Sequence, residues 1–284
     1  MHRLWVFVFL AVAAAVAACS SPAQPIQAPT TSVRGAEGLT GRVTVAGSTT
    51  VQPLAEKLAE AFMAEHPRVK IDVQGGGSSV GVKSAGRGMV DVGTVSREIE
   101  DSEKQEYPDL KVFRIALDGI AIITNSGVSV DGLSKEQVRD IFAGKITNWR
   151  QVGGADRAIV VVAREEGSGT RAAFEEMVMG PDNPITGGAV LQPSNGAVRT
   201  AVMGTPDSIG FLSFGYLDQS VKALKVDGVE PTGASAASGR YPIVRPLNML
   251  TRGEPTGTVK SWLDWILGPE GQQLVVKEGY IAVK

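Results

Sequence analysis

From Arg42 onward, short β-rich apolar runs alternate with segments in which apolar residues return every three or four positions. That alternation predicts an α/β architecture with mainly parallel strands. The runs place strands at 42–46, 68–73, 90–94, 112–117, 120–124, 159–163, 209–212 and 243–250. Leu54, Leu58, Ala61 and Phe62 stripe one face of a helix between the first two strands. Near the end, Val259, Trp262, Leu263, Ile266 and Leu267 form a second stripe that Gly268-Pro269 closes. The stripe assigns Trp262 to the core, whereas Trp265 stays open between core packing and ligand stacking. Ser134 and Gln137 have capping-box spacing for a short helix ending near Phe142.

The first residues follow a different pattern. His2 and Arg3 precede a continuous apolar run from Leu4, with small residues before Cys19, which predicts a secretory signal over residues 1–18. Val16-Ala17-Ala18-Cys19 resembles a lipobox, in which cleavage precedes an acylated cysteine. Cys19 is the only cysteine, so it has no partner within the chain for a disulfide. Residues 19–41 read as the lipidated Cys19 and a flexible tether rich in Ser, Pro, Gln, Thr, Ala and Gly. The whole chain of 284 residues has a formal net charge of −2, and loss of the signal removes Arg3 and no acid. That balance argues against a nucleic-acid surface.

The strand-turn-helix order puts hydroxyl-rich turns at strand carboxyl ends, where open α/β sheets bind ligands. Ser48-Thr49-Thr50 is one such turn, Gly77-Ser78-Ser79 a second and Ser96-Arg97 a third. Arg164 to Arg171 is a fourth, containing Glu166, Ser168, Gly169 and Thr170. Glycines permit close approach, hydroxyls and helix-start N–H groups donate, and Arg97 and Arg164 are candidate charged partners. Helix capping alone explains any single turn. Four together favour a shared oxyanion site, because a buried oxyanion needs directed hydrogen bonds in place of its water.

Other chemistries fit less well. Gly77-Ser78-Ser79-Val80-Gly81 matches the G-x-S-x-G nucleophile elbow. A serine hydrolase needs a histidine base, however, and His66 is the only histidine after the signal. Val82 separates Gly81 from Lys83, which breaks a Walker pattern. No metal-ligand spacing is present and no cofactor is implied. The chain is therefore expected to bind rather than catalyse.

The chain resembles the phosphate-binding (PstS-type) substrate-binding proteins of ABC transporters over residues 42–284. The resemblance rests on Val45 to Thr50, Gly75 to Gly81, Asp91-Val92-Gly93 with Ser96-Arg97, and Asp118-Gly119-Ile120-Ala121. Gly144 to Trp149, Arg164 to Arg171 and Gly268 to Gly271 complete it. It implies a two-lobed periplasmic-binding-protein fold of type II, each lobe a mainly parallel sheet flanked by helices, with two interlobe crossovers near 118–125 and 207–214. Lobe 1 would comprise residues 42–118 plus 213–284, and lobe 2 residues 119–212. The implied ligand is inorganic phosphate, held by Ser48, Thr49, Thr50, Ser78, Ser79, Arg164, Ser168, Gly169 and Thr170.

Ser96 stands where some members have an aspartate that accepts the ligand's P–OH, so Asp118 and Glu166 are candidate replacements. An ion pair with Arg164 or Arg171 is the other reading of Glu166. The resemblance further implies a monomer, anchored outside the cytoplasmic membrane by acylated Cys19, that delivers phosphate to ABC permease subunits. Sulfate, molybdate or tungstate are alternative ligands, and a surface adhesion or signalling role on the same fold is an alternative function.

Overall fold

A computed structural model describes residues 38–283. The expected signal, Cys19 and most of the tether lie outside the described residues. The strands are β1 (Gly41–Gly47), β2 (Val69–Gly75), β3 (Val92–Val95), β4 (Leu110–Thr124), β5 (Gly132–Leu133) and β6 (Val160–Arg164). After them come β7 (Val190–Gln192), β8 (Ser208–Ser213), β9 (Lys222–Ala223), β10 (Lys225–Val226) and β11 (Val244–Arg252). The helices are α1 (Val51–Glu65), α2 (Ser78–Gly86), α3 (Asp101–Glu106), α4 (Lys135–Phe142) and α5 (Gly169–Phe174). α6 (Asn195–Gly204), α7 (Gly233–Ala237), α8 (Gly257–Leu267) and α9 (Pro269–Lys277) follow. None of the described helices is long and apolar enough to cross a membrane.

The principal strand path runs β2-β1-β3-β11-β4-β8-β6-β7. Pairs at its two ends are parallel: β2-β1-β3 on one side and β8-β6-β7 on the other. The middle is antiparallel, because β11 pairs with β3 and β4, and β4 pairs with β8. The expected strands at 112–117 and 120–124 are one long strand, β4. Asp118-Gly119 reads as a break in sequence, but it remains in register with Val244 and Arg245.

The core has two principal parts. Val43, Leu54, Leu58, Phe62, Ile115, Leu247 and Trp262 belong to one. Ile120, Ile122, Phe142, Phe174, Phe211 and Ile243 belong to the other, where Phe174 and Phe211 stack with ring centroids 4.1 Å apart. β4 contributes to both parts, and Asp118 sits between its two contributions. Ser134 caps α4 as its spacing predicts, accepting from Gln137 N while the Gln137 side chain accepts from Ser134 N. Gly268 ends α8, but Pro269 immediately opens α9, the helical position where its missing N–H costs least. Trp265 packs edge-on against Phe62 with centroids 5.8 Å apart.

Candidate functional site

The hydroxyl turns do converge, each through a local reason. Ser48 accepts from Thr50 N at 3.1 Å and Val51 N at 3.3 Å, which caps α1 and holds Thr49 and Thr50 beyond the end of β1. Ser168 caps α5 in the same way by accepting from Arg171 N at 3.2 Å. Capping and ligand presentation are therefore compatible, since each capping hydroxyl keeps its own proton to donate. Gly77, at φ 98°, lets the second turn run against the fourth. A Cβ there would stand 3.0 Å from Gly167 O. Next to it, Ser79 N donates to Gly167 O at 3.1 Å. A Cβ on Gly169 would collide with Ser78 Oγ, so the start of α5 is pressed onto the Ser78 and Ser96 hydroxyls.

Thr50, Ser78, Ser96 and Thr170 are each at most 1% exposed. Thr50 Oγ1 lies 3.0 Å from Thr170 Oγ1, and Ser78 Oγ accepts from Ser96 N at 3.1 Å. Arg164 ends β6 and is buried. Its Nε donates to Gln192 O at 3.2 Å, and its Nη2 to Pro193 O at 2.9 Å and Thr49 Oγ1 at 3.3 Å. Nη1 is buried with no hydrogen-bond partner. Burial, then the nearby Arg245, pushes the Arg164 guanidinium down to about 10, which leaves it charged at neutral pH. A cavity of about 360 Å³ is lined by Thr49, Gly75 to Gly77, Arg164 to Ser168, Pro193 and Ser194.

Three other candidates have different surroundings. Arg97 is buried, but Glu103 grips it at 2.7 Å through both Nη1 and Nη2, and Glu100 lies 3.3 Å away. Burial opposes its charge, yet Glu103 raises the guanidinium above its ordinary value. Asp118 is paired with Arg245 Nη2 at 2.9 Å and does not line the cavity. Burial raises its carboxyl against the pull of Arg245. Glu166 is exposed at the cavity's rim, and its expected ion pair is absent among the described residues: Arg171 pairs with Glu175 at 2.8 Å instead. Ser79 Oγ is 3.5 Å from Arg97 Nη2, while His66, the one histidine among the described residues, follows the end of α1 with its ring on Phe62.

Sequence reasoning missed Asn195 and Arg245. Asn195 Nδ2 is 2.9 Å from Thr50 Oγ1 and 3.4 Å from Thr49 Oγ1. Arg245 Nη2 donates to Thr50 Oγ1 at 3.1 Å, and its Nη1 reaches Ser96 O at 3.3 Å. The Ser194 cap and the Asn195-Gly196 start of α6, a fifth hydroxyl-bearing helix start, were the available signal for Asn195. An arginine within the mostly apolar 243–250 run was the signal for Arg245.

Comparison with known proteins gives this geometry a context. Residues 29–270 match the model of the PBP superfamily domain. The phosphate-binding protein PstS of Bacillus subtilis is 36% identical over 269 residues, which cover 94% of this chain and 89% of that protein. A crystal structure from Clostridium perfringens, described as a phosphate ABC transporter substrate-binding protein with bound phosphate, has a TM-score of 0.83 and 43% identity. It is covered completely by 86% of this chain. An ABC-type phosphate transport receptor from Vibrio cholerae has a TM-score of 0.71 and 34% identity, with the same coverage of both chains. The turns carrying Thr49, Ser78, Arg164 and Thr170 are thus set in a two-lobed scaffold, and the chain belongs to the PstS family of phosphate-binding proteins within the PBP superfamily.

Proposed function

We propose that this chain captures inorganic phosphate between its two lobes outside the cell's cytoplasmic membrane and delivers it to an ABC permease. The observation that carries the reading is Arg164: a buried guanidinium whose Nη1 has no partner and whose other N–H groups meet only neutral oxygens. A charge in that state is costly, and an oxyanion beside it restores both the missing hydrogen bond and the counter-charge. Thr49, Ser78, Gly169 and Thr170 add neutral donors, with Ser48, Ser168 and Ser96 supporting them. Glu103 leaves Arg97 little capacity for a ligand. The two core parts support crossovers near Asp118 in β4 and Arg245 in β11. On this reading the return to the first lobe falls near residue 245 and not at the 207–214 expected from sequence, because Leu224, Val226 and Ile243 pack with Ile120.

The same reading includes export, acylation at Cys19 and a monomer that binds without catalysis. Titration calorimetry of the protein with phosphate and with sulfate tests it. Micromolar or tighter phosphate binding with weaker sulfate binding is the expected outcome, and no phosphate binding would overturn the reading. Mass spectrometry of the membrane-extracted protein tests the anchor, with a diacylated Cys19 peptide expected.

A further inference from the structure

We propose that Asn195, assisted by Arg245, fixes the direction of the hydroxyl protons in the cleft, so that Thr49 and Thr170 face a bound oxyanion only as donors. The inference rests on the phosphate reading for its consequence, but the direction of the protons follows from the protein's own contacts.

Ser213 N donates to Asn195 Oδ1 at 3.2 Å. A backbone N–H can only donate, so this contact determines which end of the buried amide is oxygen and turns Nδ2 toward the threonines. Nδ2 then donates to Thr50 Oγ1 at 2.9 Å. Arg245 Nη2 donates to the same oxygen at 3.1 Å, and a guanidinium has no acceptor. A hydroxyl has two lone pairs and one proton. With both lone pairs of Thr50 occupied, its proton goes to Thr170 Oγ1, 3.0 Å away. Thr170 is thereby an acceptor on the Thr50 side, and its own proton is left free to be donated elsewhere, which in the phosphate reading is to the anion. Thr49 is treated likewise: Nδ2 of Asn195 at 3.4 Å and Nη2 of Arg164 at 3.3 Å both point at its oxygen, leaving its proton for the cavity it lines.

Asn195 is consequently a positioning residue, whose amide sets the polarity of hydroxyls from two different turns. Reversing the amide would set Nδ2 against the Ser213 N–H and let Thr170 turn its lone pairs toward the anion, where acceptor would meet acceptor.

Two experiments test this. A neutron structure of the deuterated protein should show the Thr50 deuterium directed at Thr170 and the Asn195 nitrogen directed at Thr50. A Thr170 deuterium directed at Thr50 would overturn the proposal whether or not phosphate binds. In calorimetry, T50V preserves the side-chain shape but removes the donor, and should weaken phosphate binding by about tenfold or more. T50S, which keeps the hydroxyl, should recover most of that loss, whereas T50V leaves the Asn195 and Arg245 donors without their acceptor and should also melt lower than wild type. Equal phosphate affinity in T50V and wild type would also overturn the proposal. A wild-type protein that fails to bind phosphate would instead overturn the functional reading, leaving the neutron result to judge proton direction.

Discussion

Arg97 lies just past the carboxyl end of β3 and Arg164 is the last residue of β6, and both are almost fully buried, at 5% and 2% exposure. Their surroundings nevertheless differ in kind. Glu103 meets Arg97 with two oxygens at 2.7 Å, whereas Arg164 meets the carbonyls of Gln192 and Pro193 and the Thr49 hydroxyl, with Nη1 left over. Arg245 extends the comparison, since it too has its own carboxylate, Asp118 at 2.9 Å. A compensated guanidinium contributes to the fold, and an uncompensated one keeps its capacity for an anion. The same residue type at similar burial is thus divided by its counter-charge.

The largest expected effect comes from removing a counter-charge. Asp118→Ala would leave Arg245 buried and unpaired, a situation that typically costs about 3–5 kcal/mol. Urea denaturation should show a loss of that order. A loss below about 1 kcal/mol would mean that Arg245 finds another partner, and the contrast with Arg164 would weaken.

Arg164→Met should do the reverse. Phosphate affinity should fall by about a hundredfold, the scale of losing two charge-assisted hydrogen bonds, while denaturation shows stability equal to or above wild type. The guanidinium loses its proton as pH rises through about 10. Because the charged form is the binding form, wild-type affinity should be lost above that pH by about tenfold per unit, and the Met variant should lack this limb. Calorimetry between pH 8 and 11 checks both. Unchanged affinity in the variant would remove Arg164 from the site.

The division among the arginines shows where sequence was informative. The four hydroxyl turns were legible because each joins a recognisable strand to a helix, and Ser or Thr there serves capping and ligand presentation alike. The fate of Arg97 was partly legible in Glu98, Glu100 and Glu103 close by, although Glu165 and Glu166 beside Arg164 offer the same signal and are exposed. Strand and turn direction separates the cases, and composition does not record it. Asn195 was hidden because β7 before it is only three residues long. The Asp118–Arg245 pair joins residues 127 apart in sequence. Only the register of β4 against β11 brings them together, and that register was obscured by reading β4 as two strands.

Arg97 itself offers an intermediate effect. Glu103→Gln should cost about 1–3 kcal/mol of stability by weakening a mostly buried charged hydrogen-bond pair, with phosphate affinity within about twofold of wild type. Burial acts to raise the Glu103 carboxyl, but the hydrogen bonds and charge of Arg97 outweigh it and hold the group below its ordinary range. A depressed carboxyl stabilises the fold fully above the unfolded value of about 4.3. That contribution disappears as pH falls through the lower folded value. The stability gap between wild type and Glu103→Gln, measured by urea denaturation, should therefore be constant near neutrality and close in acid. A gap that widens in acid would break the assignment.

The smallest effect is expected at Glu166, which lines the cavity together with Glu165. It lies exposed at the rim, where water and salt screen its charge over about 10 Å at 0.1 M ionic strength. A selective acceptor for a P–OH group has to be desolvated, because only then does an unmatched ligand leave it unpaired at significant cost. Glu166 lacks that condition, and Asp118, which is desolvated and pairs with Arg245 through Oδ2, does not line the cavity. Glu166→Gln should therefore raise phosphate affinity by less than about threefold by removing a weak repulsion, with no change in the preference for phosphate over sulfate. The gain should vanish in 1 M salt. Calorimetry with both anions at low and high salt checks this, and a collapse of the phosphate preference would move the origin of selectivity to the rim.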